Sequence, residues 1–185
     1  MEHRLTTPCT AADLAPLRAG DTVLLSGVVY TARDQAHRRM MEALDRGEAL
    51  PFPLEGSAIY YVGPTPERPG KVIGSAGPTT SGRMDAMSPR LLDLGNKIMI
   101  GKGKRDEAVK AAVVRNGAVY LAALGGAGAL MAKSVKTLEV IAWEDLGCEA
   151  VRRLTVQDMP LTVVLDAVGG DLYQSGPAAY LAGAE

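Results

Sequence analysis

Short apolar runs alternate with helix-periodic polar segments along much of the chain. Residues 22–31, TVLLSGVVYT, are β-branched and apolar and predict a buried strand. Residues 32–48 place Ala36, Met40, Met41 and Leu44 at helical spacing, and Gly47 suits the end of that helix. Further strands are predicted over 58–63, 72–77, 96–101 and 118–124, and a strand and turn over 136–147. Helices are predicted over 88–95, 104–117 and 125–135, and a short capped helix running into a turn at Gly20–Asp21 over 10–21. Ser88 and Pro89 fit a first helical turn, and Gly95 fits its close. Residues 149–159 continue extended. Residues 161–174 predict a hairpin around Gly169–Gly170, and the tail 176–185 a loose helix or arm. There is no internal repeat and no long linker, so one domain is expected over 1–185. Strands alternating with helices over 22–135 predict an α/β layer with parallel crossovers. The closing strands predict an antiparallel or mixed part.

Composition narrows the class. Hydrophobic residues are 47% and charged residues 22% of the 185, as in ordinary globular chains. Aromatics are only 4%, so aliphatic side chains and methionine must fill the core. A net charge of −1 points to neither a nucleic-acid nor a membrane partner. Two cysteines, Cys9 and Cys148, and two histidines, His3 and His37, leave this chain without a conventional Cys/His metal site. The N-terminus lacks the pattern of a signal peptide, and no apolar run approaches the ~18 residues of a membrane span. A cytoplasmic protein is expected.

The candidate chemistry lies at strand-to-helix junctions. AGPTTSGRMD, residues 76–85, places Thr79, Thr80 and Ser81 at the presumed C-terminal end of a strand, with Arg83 just beyond. In open α/β sheets ligands collect at that edge. Arg33, in YTARDQAH, stands near a helix start, where an arginine adds a bidentate donor for anions. On residues alone, an ordinary surface pair with Asp34 or another acid is the favoured reading of Arg33. Lys102, in GKGKR, is similarly open to anion binding or to plain solvation. If these loops share one sheet edge, they form a pocket for an anion with two carboxylates. GGAGAL, residues 125–130, matches no nucleotide-binding fingerprint and reads as close packing of a helix on a strand.

GPTTSGRMD, SPRLLDLG and IMIGKGKR, together with YTARDQAHRRM, YLAALGGAGALMAKSVK and LGCEAVRRLTVQDMP, resemble the β subunit of the iron–sulfur-dependent class I fumarase and L-tartrate dehydratase family. The resemblance runs over roughly residues 20–167. It implies a swivelling β/β/α domain, with a mixed sheet and flanking helices. It implies a partner α subunit that holds a [4Fe–4S] cluster through three cysteines, with no cofactor bound by this chain alone. Carried over residue by residue, it implies that Arg33, Arg83 and Lys102 clamp a dicarboxylate. It also implies that Thr79 is catalytic, in removal of the C3 proton. The implied reaction is reversible dehydration of (S)-malate to fumarate. L(+)-tartrate to oxaloacetate is the alternative. A non-catalytic anion-binding module is a rival from another class, and isolated chains are expected to self-associate if the partner surface is left bare. Lys104 and Cys148 depart from the family pattern, and Lys104 bears on substrate choice.

Overall fold

The computed structural model describes residues 1–124 and 126–182. Its strands are β1 (Glu2–Thr6), β2 (Thr22–Thr31), β3 (Ala58–Tyr60), β4 (Ile98–Gly101), β5 (Val119–Ala122), β6 (Val135–Ala142) and β7 (Val151–Leu165). The helices are α1 (Ala11–Leu14), α2 (Asp34–Asp45), α3 (Ser88–Asp93), α4 (Glu107–Arg115), α5 (Gly128–Ser134) and α6 (Leu172–Ala182).

β2, β3, β4 and β5 pair in parallel in that order, as the alternation of strands and helices predicts. β7 then runs antiparallel to β5 and also to β2, so the ladders close into a ring. β1 extends the other edge of β2 in parallel, and β6 pairs with the first part of β7. The expected α/β class with a mixed sheet and flanking helices is what the structure has.

The period of two along each strand divides the side chains between two cores. Ala58, Tyr60, Ile98, Ile100, Val119 and Leu121 face the interior of the ring. Their neighbours Ile59, Tyr61, Met99 and Tyr120 face outward and pack against Met40 of α2, Leu91 and Leu92 of α3, and Val109 of α4. The order is therefore strands, strands, then helices. Every strand of the parallel set delivers its C-terminal end to the same edge.

Three expectations change. β1 was not expected: its EHRLT alternates, but only Leu5 is aliphatic. Residues 72–77 form no strand. Gly74 there lies so close to the chain that a Cβ would sit 2.2 Å from the Thr65 carbonyl oxygen, and only single bridges, at Pro78 and Thr80, follow. The hairpin over 161–174 is replaced by one long strand and a helix. Asp166 makes the turn: its buried carboxylate accepts from Ala19 N at 2.9 Å, Val168 N at 3.0 Å and Gly170 N at 2.7 Å. Asp171 then accepts from Tyr173 N at 2.9 Å and starts α6. The strand and turn over 136–147 are present as expected: β6 ends at Ala142, Trp143 takes a left-handed φ of 55°, and a 3-10 segment, Glu144–Glu149, begins. Gly125, the first residue of the Gly-rich segment, and residues 183–185 of the tail lie outside the described residues. Gly128 packs as expected, against a loop rather than a strand: a Cβ there would lie 2.2 Å from Ser75 Oγ.

Asp166→Ala strands two backbone donors in the turn between β7 and α6 and a third, Ala19 N, in the segment before β2. It should lower the unfolding free energy by about 3 kcal/mol, measured by urea denaturation. A loss below about 1 kcal/mol would contradict the role given to this turn.

Candidate active site

β2 ends at Thr31, and the chain turns at once into α2. Arg33 is the N-cap residue, with extended φ and ψ and no side-chain cap of its own. The turn is held from beneath by His37, whose Nδ1 lies 3.0 Å from Arg33 O. A carbonyl only accepts, so Nδ1 carries the proton. His37 is fully buried with its ring edge-on to Tyr61, and burial pushes its pKa down to about 4. The imidazole is therefore neutral at pH 7 and supplies no acid or base to the edge above it.

Arg33 and Arg83 meet at one carboxylate. Asp34 Oδ1 accepts from Arg83 Nε at 2.7 Å, and Asp34 Oδ2 accepts from Arg33 Nε at 3.3 Å. Glu149 Oε1 lies 3.4 Å from the same Arg33 Nε, and its Oε2 accepts from Gln35 N at 2.7 Å. Burial pushes the Asp34 carboxyl up, but its own backbone amide and the two guanidiniums outweigh burial and hold it below the usual carboxylate range. In both arginines the acids engage Nε. The terminal amino groups have no protein acceptor among the described residues. Arg33 lies across Gly63, where a Cβ would come 3.1 Å from its Nη1. Arg152 steadies the loop that carries Glu149 through bonds to the carbonyls of Gly147, Cys148 and Ala150.

Thr79 and Lys102 are set by backbone. Thr79 N donates to Tyr61 O at 2.7 Å, just past β3. Thr80 and Lys102 form a parallel bridge just past β4. Ser81 N donates to Lys102 O at 2.8 Å, and Ser81 Oγ accepts from Lys102 N at 3.1 Å. Gly101 makes room for this: a Cβ there would lie 1.9 Å from Ser81 Oγ. The 3-10 turn Ser81–Met84 then carries Arg83 back toward Asp34. Thr79 Oγ1 and Lys102 Nζ have no protein partner among the described residues, and Lys102 is exposed.

Arg33 and Arg83 thus meet at Asp34, Lys102 is bonded to Ser81 in the turn that carries Arg83, and Thr79, two residues before that turn, is held by its backbone to Tyr61. The surface-pair reading of Arg33 is also realised, because Asp34 is its partner. The sequence reading did not assign a structural role to Ser81, nor any role to Glu149. The signal for Ser81 was the glycine opposite it, Gly101, at a strand end. Met84, in the turn that carries Arg83, is buried in the outer core, and Met87 is half-buried against it.

The fold is a mixed α/β domain with cationic side chains at one sheet edge, and comparison with known proteins places it. The family model described as the fumarase C-terminus matches residues 2–176. The chain belongs to that family. It is 40% identical to a putative L(+)-tartrate dehydratase subunit beta from Methanocaldococcus jannaschii, over 89% of this chain and 88% of that one. It is 34% identical to the L(+)-tartrate dehydratase subunit beta of Escherichia coli, over 93% of this chain and 87% of that one. It is 40% identical to an aerobic class I fumarate hydratase from Salmonella typhimurium, over 81% of this chain but 26% of that protein. The chain thus spans about a quarter of the length of that fumarate hydratase.

The buried neutral His37 makes stability pH-dependent. Its folded pKa lies below the ordinary 6.5, so between pH 6.5 and about 4 the unfolded chain takes up a proton that the folded one refuses. Stability is complete above pH 6.5 and falls as pH drops through that window, by up to about 3 kcal/mol. Urea unfolding at pH 7 and pH 4.5 should show the drop in the native chain and a smaller one in His37→Phe. Equal drops in the two would contradict it.

Proposed function

We propose that this chain is the carboxylate-clamping part of a hydro-lyase that interconverts (S)-malate and fumarate by reversible dehydration, completed by a cluster-bearing α subunit. One observation carries the reading. Asp34 joins Arg33 to Arg83, Ser81 joins Lys102 to the turn that carries Arg83, and Thr79 is held by Tyr61 just before that turn, with the terminal groups of the three cations lacking a protein partner among the described residues. Guanidinium pairs recognise carboxylates bidentately, and Lys102 adds a compact charge. Together they hold a dianion in place and stabilise the extra negative charge as the C3 proton leaves.

Dehydration takes a proton from C3 and hydroxide from C2. Thr79 Oγ1 is the group of this chain proposed to meet the C3 proton. A neutral hydroxyl is a weak base. Thr79 must therefore pass the proton on to a group of the α subunit, and the nearby cations help by lowering the cost of its charged form. The [4Fe–4S] cluster that the family resemblance implies does not fit the residues of this chain. No three His, Cys, Asp or Glu side chains gather among the described residues, Cys9 is buried with its thiol on Thr6 O, and Cys148 is exposed elsewhere. The cluster belongs to the α subunit, and closure of a swivelling β domain on that subunit would complete the site.

L(+)-tartrate dehydration to oxaloacetate is the second reading. It is favoured by the relatives that match along nearly their whole length, both named as tartrate dehydratase β subunits. No helix among the described residues is long and apolar enough to cross a membrane.

The test is an anaerobic assay of the chain co-expressed with a cysteine-bearing α candidate, with malate and tartrate in parallel. Arg83→Ala should lower kcat/KM by about 100-fold, the loss of a charge-assisted pair in the transition state. Turnover of tartrate alone would keep the clamp and change the substrate. No turnover of either acid by a complex with an intact cluster would leave a non-catalytic anion-binding module.

A further inference from the structure

Thr79, Arg83 and Lys102 sit on two loops, residues 79–85 and 101–106. Both loops rest on a single buried charge. The Arg105 side chain is 0% exposed. Its Nε donates to Asp85 Oδ1 at 2.5 Å, and its Nη2 donates to Ser88 Oγ at 2.8 Å. The guanidinium carbon lies 5.4 Å from the ring centroid of Tyr61 and 5.0 Å from that of Tyr120, so the cation is flanked by two aromatic rings. The other oxygen of Asp85, Oδ2, accepts from Asp106 N at 2.7 Å.

Apart from the Met99 sulfur, which accepts from Arg105 Nη1 at 3.3 Å, each partner of Arg105 also holds backbone or side chain of the two loops. Tyr61 O receives Thr79 N. The Tyr120 hydroxyl lies 2.9 Å from Ser81 Oγ and 3.0 Å from Gly103 O. Ser88 Oγ donates to Met84 O at 2.9 Å, in the turn that carries Arg83. Asp85 itself closes the GRMD motif, and Arg105 closes GKGKR. One carboxylate and one guanidinium therefore span the gap between the loops, beneath the network and out of reach of any ligand above it. A buried ion pair is a weak source of stability compared with apolar side chains of the same size. Its directional bonds do something apolar packing does not: they fix the register of two loops against each other.

We infer that Asp85 and Arg105 are positioning residues, whose buried pair sets the spacing between the Thr79–Arg83 loop and the Lys102 loop and so fits the clamp to a dicarboxylate. The inference rests on the clamp reading of the site. Arg105 acts through Tyr61, Tyr120 and Ser88, and never on substrate.

Amide hydrogen exchange on the full chain tests it directly. Asp85→Asn leaves Arg105 buried without a countercharge, and that variant should be strongly destabilised. Asp85→Asn with Arg105→Met removes the stranded charge and should melt within a few degrees of the native chain. In that double variant the amides of Thr79, Ser81, Lys102 and Asp106 should exchange at least ~10-fold faster, while those within β3 and β4 keep native protection. Arg105→Lys keeps the charge but loses the Ser88 bond, and should show the same pattern at smaller amplitude. Native exchange at the four loop amides in the double variant would overturn the inference. So would faster exchange spread evenly over β3 and β4, which marks a merely structural pair. In the assembled enzyme the double variant should raise KM for the dicarboxylate about 10-fold and change kcat less. If the native assembly turns over no dicarboxylate, the clamp reading fails on that result alone, and the exchange pattern still decides whether the pair positions the loops.

Discussion

Two arginines converge on one carboxylate at a sheet edge without driving each other apart. Two unit charges of like sign ~5 Å apart repel by about 3 kcal/mol at an effective dielectric of ~20. Asp34 is what makes the crowding tolerable. Its two oxygens engage Arg33 and Arg83 separately, and both contacts fall on Nε. The acid therefore neutralises part of the field, fixes the direction of each guanidinium and leaves its far end free. Glu149 adds a second carboxylate behind Arg33. Lys102, without an acid, is held by its backbone to Ser81.

The rest of the fold exists to bring those loops to one place. Parallel pairing of β2, β3 and β4 sends their C-terminal ends in one direction. β7 returns antiparallel along β2 and β5, and the closed ring fixes the neighbours of the edge. Two glycines then let the loops approach. Gly101 admits the Ser81 hydroxyl against the end of β4, and Gly63 admits Arg33. Below them the outward faces of β3, β4 and β5 carry Tyr61, Met99 and Tyr120, which line the buried guanidinium of Arg105.

Much of this was legible before any coordinates. Apolar runs at 22–31, 96–101 and 118–124 are strands because buried parallel strands need continuous apolar sequence. The hydroxyls and cations at their ends were visible by type, but residue type alone left Arg33 and Lys102 readable as ordinary surface groups, and only the family resemblance joined them to Thr79 and Arg83. What was hidden has a common physical cause. Arg105 sits in a basic turn that reads as solvated surface, and only the folded chain shows two tyrosine rings and a carboxylate around it. Asp34 was visible as a neighbour of Arg33, but its second partner lies 49 residues away. The lost hairpin at 161–174 hid in a similar way. Gly169–Gly170 suits a tight turn, yet the Asp166 carboxylate gathers three distant or local amides and sends the chain into a helix instead.

The central claim is that Arg33, Thr79, Arg83 and Lys102 form one site for a dianion. The most direct measurement is an NMR titration of the isotope-labelled chain with malate and, separately, tartrate, following every backbone amide. The account predicts shifts concentrated at residues 33–34, 79–83 and 101–103, saturating together. Another cationic surface is the groove beside Arg68, Lys71 and Lys133. Shifts confined to that groove, or scattered over all surface cations without saturation, would contradict the account.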